Sequence, residues 1–210
     1  MGPTPEVLEK FRKKAELVSA IVSEVDSMAQ AIAYTVDLCA QKEACQLLMS
    51  GCEESLSDKG KDLCELKEWG KIIAAPALQD ADMAELLKQA GSRQISVIKD
   101  GMRGHLAGID IGFTVADWGI AETGTLVLNS SSEELRIATM VSEIHVAVIP
   151  KSRIRATGEE LADELKNYMR QKPNYLAFVT GASRTADIER VLALGVHGPL
   201  ELHILILEDK

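Results

Sequence analysis

The 210-residue chain contains no run approaching 20 uninterrupted apolar residues, so no membrane-spanning helix is expected. Its opening, MGPTPEVLEKFRKK, places charges where a secretory signal would place an apolar core; no export signal is read, and the cytoplasm is the expected location. Basic charge is scarce as well. Lys and Arg number 23 against 32 Asp and Glu, a net charge of −9, whereas a general nucleic-acid binder needs a concentrated basic surface. Cys39, Cys45, Cys52 and Cys64 cluster in the first third but form no C-x-x-C pair; reduced thiols packed among helices are expected, and no metal site. Neither G-x-x-x-x-G-K-[ST] nor a strand-to-helix G-x-G-x-x-G occurs, so standard ATP and NAD sites find no support and no cofactor is expected. There is no internal repeat and no low-complexity segment.

What remains is ordinary globular composition, 46% hydrophobic and 26% charged, at a length that suits one α/β domain. In PEVLEKFRKKAELVSAIVSEV, Leu8, Phe11, Ala15, Val18, Val22 and Val25 recur at steps of three and four, which predicts an amphipathic helix. AIAYTVDLCAQKEACQLLMSG reads as a second helix with Gly51 as its stop, followed by a loop in SLSDKGKDL. From residue 71 the texture alternates. KIIAAP, QISVIKD, IHVAVIP, YLAFVTG and ELHILILED read as strands, and DADMAELLKQAG, SEELRIATMVSE, GEELADELKNYMRQ and RTADIERVLALG as helices. Strands as apolar on both parities as HILIL are covered on both faces. The expected architecture is an α/β three-layer sandwich around a mostly parallel sheet spanning 71–210, with an N-terminal helical extension over 1–70.

Two segments carry polar groups that such a fold does not itself require. In GFTVADWGIAETGTLVL, strand-like runs meet at Glu122-Thr123-Gly124, with Asp117 and Trp118 upstream. A tight hairpin accounts for Gly124 and Thr123; Glu122 and Asp117 are either solvated at its tip or directed into a pocket. In TGASRTADIE, residues 180–189, a strand hands over to a helix whose N-terminus, with the Arg184 fork, suits a carboxylate or phosphate. The same residues also read as a capped helix start, with Ser183 or Thr185 satisfying first-turn donors and Asp187 and Glu189 facing the dipole. Both segments are expected beyond the carboxyl ends of strands, where α/β sheets bind ligands. Among the histidines, His145 and His203 read as hydrogen-bonded residues at the core edge and His105 as part of a flexible loop. His197, in GVHGP, is the best placed for proton transfer. A Ser183–His197–Asp187 triad lacks a nucleophile-elbow motif.

ADWGIAETGTLVL at 116–128 and VTGASRTADIERVLALGVHGPLELHILIL at 179–207 together resemble the lactate utilization (LUD) family, most closely its protein C branch; the resemblance is dense over residues 95–210 and adds little over 1–70. It implies a Rossmann-like sandwich of the NagB/RpiA/CoA-transferase type. It further implies a part in cytoplasmic oxidation of lactate to pyruvate beside iron–sulfur partner proteins, this subunit itself lacking cluster ligands. Carried over from the first motif are Asp117, Gly119, Glu122, Thr123 and Gly124, and from the second Thr180, Gly181, Ser183, Arg184, Thr185, Asp187, His197, Gly198 and Pro199. Of these, Glu122 and His197 are the catalytic candidates and the others candidates for ligand binding. The leading expectation is a subunit that binds a small carboxylate through Arg184 while its partners move electrons. The alternatives are an acyl- or CoA-transferase-like enzyme with Glu122 as nucleophile, by analogy of fold, and a non-catalytic assembly protein.

Overall fold

A computed structural model describes residues 2–45, 70–105, 108–170, 174–185, 193–194 and 198–209. Its centre is a six-stranded sheet of β1 (Ala20–Val25), β2 (Lys71–Ala74), β3 (Ile95–Ile98), β4 (Ile109–Val115), β7 (Ser142–Pro150) and β12 (Glu201–Leu207), in the order β1-β12-β7-β4-β2-β3. Every pairing in this sheet is parallel, so its strands need cover on both faces. β7 shows how that cover is divided. Ile144, Val146 and Val148 join a core cluster with α2 (Met28–Gln41) and α3 (Asp80–Gly91), while Ala147 and Ile149 join one with α1 (Pro5–Leu17). On the α1 side lie also α4 (Glu133–Val141) and a second sheet of β5 (Trp118–Ile120), β6 (Thr125–Asn129), β8 (Ile154–Arg155) and β9 (Leu176–Val179), ordered β8-β5-β6-β9. The expected three-layer α/β sandwich is therefore present, with part of its third layer built from a small sheet.

The N-terminal region departs from its reading as a helical extension. The helix that periodicity carries to Val25 stops at Leu17; the Val18 N–H donates to the Ala15 carbonyl and the Ser19 N–H to that of Glu16, and Ser19 turns the chain at a φ of 66°. Residues 20–25, AIVSEV, show no clean period of their own, and six-residue parallel pairing with β12 makes them a strand. Phe11 and Ala15 share a core with Leu126 and Ile204, and Ala31, Ile32, Val36 and Cys39 share one with Ile111 and Phe113. The described residues before 46 are thus integral to the sandwich. α2 ends at Gln41 because Lys42 and the Cys45 N–H are drawn to the buried Asp110; Gly51 lies outside the described residues.

The other large difference falls in the second motif. Arg184–Thr185 forms β10 and pairs antiparallel with Ala193–Leu194, β11. A helix running through 184–194 would hold its ends about 15 Å apart, whereas ladder partners sit about 5 Å apart. The continuous helix expected there is therefore corrected to a strand pair; Asp187 and Glu189 lie outside the described residues.

Candidate functional site

The β5–β6 hairpin is built as its sequence suggests. Trp118 pairs with Val127 and Ile120 with Thr125 in an antiparallel ladder, and the turn closes with the Gly124 N–H donating to the Ile120 carbonyl at 2.9 Å. Gly124 has a φ of +68°, and a Cβ there would lie 2.3 Å from the backbone nitrogen of Ala15. Gly181 repeats the arrangement in the second motif, with a φ of +79° and a Cβ position 2.1 Å from the Val18 carbonyl oxygen. Both glycines therefore let the two motifs close on the end of α1, and Gly119 likewise packs against Phe11 and Ile154. These three positions have a full explanation in packing.

The hydroxyl groups have a different arrangement. Thr123 Oγ1 lies 2.7 Å from Thr125 Oγ1, which lies 2.7 Å from Thr180 Oγ1. This chain joins the hairpin turn to the loop that leaves β9. Ser183 then donates its backbone N–H to the Pro199 carbonyl at 3.0 Å, and Gly198 lies against the Ser183 side chain. The first motif, the second motif and the loop 198–200 therefore form one continuous surface. Arg184 is exposed beside it on β10, and Thr123 and Thr180 are exposed too. The Leu200 N–H donates to the Glu143 carbonyl at the start of β7, and Gly181 meets Val18 just before β1. Loops 180–183 and 198–200 thus lie at the amino end of the six-stranded sheet; the expected carboxyl-end position holds only relative to β9. Arg184 and Thr185 lie in β10, so the helix start expected at these two residues is not found there.

Two candidates are held elsewhere. Asp117 lies at the far end of the hairpin from the turn, where its carboxylate accepts from the Asn129 N–H at 2.6 Å and from the Tyr168 hydroxyl at 3.3 Å. Burial raises the Tyr168 pKa and the Asp117 charge adds to the rise. Glu122 is exposed, its Oε1 accepting the Gly158 N–H at 2.7 Å while its own N–H donates to the Ala156 carbonyl. It ties the hairpin to the segment after β8. His197 lies outside the described residues, as do Cys52 and Cys64; Cys39 and Cys45 are buried.

His145 is hydrogen-bonded, as read, with Nε2 2.8 Å from Thr114 Oγ1, and burial pushes its pKa down to about 4. His105 ends a 3₁₀ turn, Met102–His105. Sequence reasoning missed Thr125, the middle member of the hydroxyl chain, which reads as an ordinary strand residue. It also missed a charged cluster at the amino end of the sheet. Asp110 is fully buried and accepts from Lys42 Nζ at 2.7 Å, the Cys45 N–H at 2.6 Å and the Ile72 N–H at 2.8 Å. Lys42 also reaches Glu143 at 3.0 Å. Burial opposes its charge, yet the hydrogen bonds and charges of Asp110 and Glu143 together hold its pKa above the ordinary value. The available signal was an aspartate inside the apolar run IDIGF. Among the described residues, no group of three or more His, Cys, Asp or Glu is placed to hold a metal, and no helix is long and apolar enough to cross a membrane.

The sequence profile of the LUD domain matches residues 8–207, which takes in α1 and β1. A lactate utilization protein C of Shouchella clausii is 35% identical over 103 residues, covering 48% of this chain and 45% of the relative. Its counterpart in Halalkalibacterium halodurans is 36% identical over 104 residues, with the same shares of each chain. An uncharacterized protein of Neisseria meningitidis serogroup B is 36% identical over 138 residues, 65% of this chain and 57% of that one. The chain thus aligns with about half the length of the curated relatives it matches. In structure it is similar to a DUF162 family protein from Deinococcus radiodurans, with a TM-score of 0.61 and 17% identity over 98% of this chain and 99% of that one; this likeness bears on the fold alone.

Proposed function

This chain belongs to the LUD domain family, and from that premise we propose that it serves lactate utilization as an accessory subunit that binds a small carboxylate. The binding surface is the loop cluster of Thr123, Thr125, Thr180, Ser183 and Arg184. In this reading the two electrons and two protons removed when lactate becomes pyruvate pass to iron–sulfur partner proteins in the cytoplasm, and the subunit carries no redox centre of its own. The relatives named lactate utilization protein C support the role. The observation that carries the site is the Thr123–Thr125–Thr180 hydroxyl chain, which joins the two motifs into one surface next to an exposed arginine. A 2-hydroxy acid presents a carboxylate and a hydroxyl. The guanidinium fork matches the first, and threonine or serine hydroxyls, which both donate and accept, match the second.

The acyl-transfer reading gains no comparable support, because the Glu122 carboxylate already accepts the Gly158 N–H. Calorimetric titration with L-lactate, D-lactate and pyruvate tests the proposal. Saturable binding that weakens at least tenfold in Arg184→Ala is expected; equal binding by that variant overturns the assignment. Hydroxylamine-trapped acylation of Glu122 by an acyl-CoA would replace it with the transferase reading.

A further inference from the structure

On the face of the sheet that α2 covers, β12 and α2 hold a cluster that the carboxylate site does not use. His203 is 4% exposed and is engaged through both ring nitrogens, with the Tyr34 hydroxyl 2.8 Å from Nδ1 and Glu201 Oε2 2.8 Å from Nε2. A carboxylate only accepts, so Nε2 carries the ring hydrogen and Nδ1 is left to accept from the Tyr34 O–H. This is the relation of a hydroxyl nucleophile, a base within hydrogen-bond reach and a group that orients the base. Packing alone does not call for it: an apolar pair would fill the same space with no polar atoms to satisfy. The Tyr34 ring is half-buried and tilted 56° to the imidazole at a centroid separation of 5.9 Å. Burial raises the phenol pKa, with the Ser23 hydrogen bond acting against that rise and the Glu201 charge adding to it. A phenol so placed is protonated near neutral pH and needs a base to react.

We propose that Tyr34 is a nucleophile toward uncharged activated acyl donors, with His203 as its base and Glu201 positioning the imidazole. Tyr34 Oη attacks the acyl carbonyl carbon and forms a new C–O bond, while the phenolic proton passes to His203 Nδ1. The bond from that carbon to the leaving group then breaks, the leaving group departs with the electron pair, and the imidazolium returns the proton to it or to water. The product is an acyl ester of Tyr34, formed with no change of oxidation state. Surrounding chemistry selects the donor. Glu201, whose side chain is 49% exposed, disfavours anionic phosphoryl donors, and Ile21, in register with His203 and 45% exposed, offers an apolar seat for an acyl chain.

The test uses p-nitrophenyl acetate on the full chain, with peptide mapping by mass spectrometry. Tyr34 should be acetylated at least tenfold faster than Tyr175, which is 61% exposed and serves as the internal reference. His203→Gln should remove that preference, a loss on the order of 10²-fold from general-base assistance. Glu201→Gln, at an exposed position that leaves the fold intact, should slow labelling roughly tenfold. Glu201→Asp, which keeps a carboxylate to orient the imidazole, should recover part of that rate. Equal labelling of Tyr34 and Tyr175, or a Glu201→Gln labelling rate equal to that of wild type, overturns the proposal even if His203→Gln fails to fold.

Discussion

Two polar clusters serve the amino-end region of the sheet, and they differ in what the fold asks of them. Lys42, Asp110 and Glu143 are drawn together around a carboxylate with no solvent access, and the acceptor contacts of Asp110 tie down two segments, the stretch after α2 through Lys42 and Cys45 and β2 through Ile72. Thr123, Thr125, Thr180 and Arg184 form a chain of neutral hydroxyls ending beside an exposed cation. Removing a member of the first cluster strands buried polar groups; removing Thr123, Thr180 or Arg184, the exposed members of the second, leaves water to take its place, while Thr125 between them is buried. The first cluster therefore ties elements of the fold together, and the second is the one to which the proposed function assigns a ligand.

The sharpest break between them is Asp110→Ala. It leaves Lys42 half-buried beside one remaining carboxylate and two N–H groups without their acceptor, for an expected loss of about 3–5 kcal/mol in urea denaturation. Acid comes next. The His145 pKa of about 4 lies below the unfolded value of 6.5, so the neutral ring favours the folded state above pH 6.5. That contribution, roughly 3 kcal/mol, should be lost as pH falls from 6.5 toward 4. His145→Asn should flatten this part of the stability–pH curve. Gly124→Ala should cost about 1–3 kcal/mol from the backbone angle alone, and more from the encounter with Ala15; its thermal midpoint reports the sum. At the other extreme, Arg184→Ala should leave the urea midpoint within about 0.5 kcal/mol of wild type while it weakens the proposed carboxylate binding at least tenfold. A large stability loss in that variant would erase the contrast between the clusters.

Much of the fold was legible where hydrophobic period and length agree. The strands at 71–74, 142–150 and 201–207 and the helices at 80–91 and 133–141 follow directly from the pattern. β1 was hidden because Val18, Val22 and Val25 satisfy a helical stripe while AIVSEV has no alternation of its own to oppose it, and only β12, some 180 residues later, supplies the pairing. The stretch IGFTVADWGIA was legible as extended, yet nothing local shows that it changes sheets at Ala116 and Asp117. For the site, Thr123, Gly124, Thr180 and Ser183 were readable as motif residues. Their meeting was not, since it rests on one hydroxyl contact across 55 residues and on glycines that admit the end of α1. Asp110 was unreadable for a related reason: its acceptor contacts are with groups 38 to 68 residues away.

The pairing of Ala20 through Val25 with Leu202 through Leu207 also has a consequence in time. On a ribosome adding about 5–20 residues per second, the first strand emerges on the order of ten to forty seconds before the strand it pairs with. During that interval Ile21, Val22 and Val25 have no sheet to join, and α2 has only part of the surface it will cover. The newborn chain must shelter these residues until β12 arrives, which makes the emergence of β12, rather than of β1, the moment at which this side of the sheet can form.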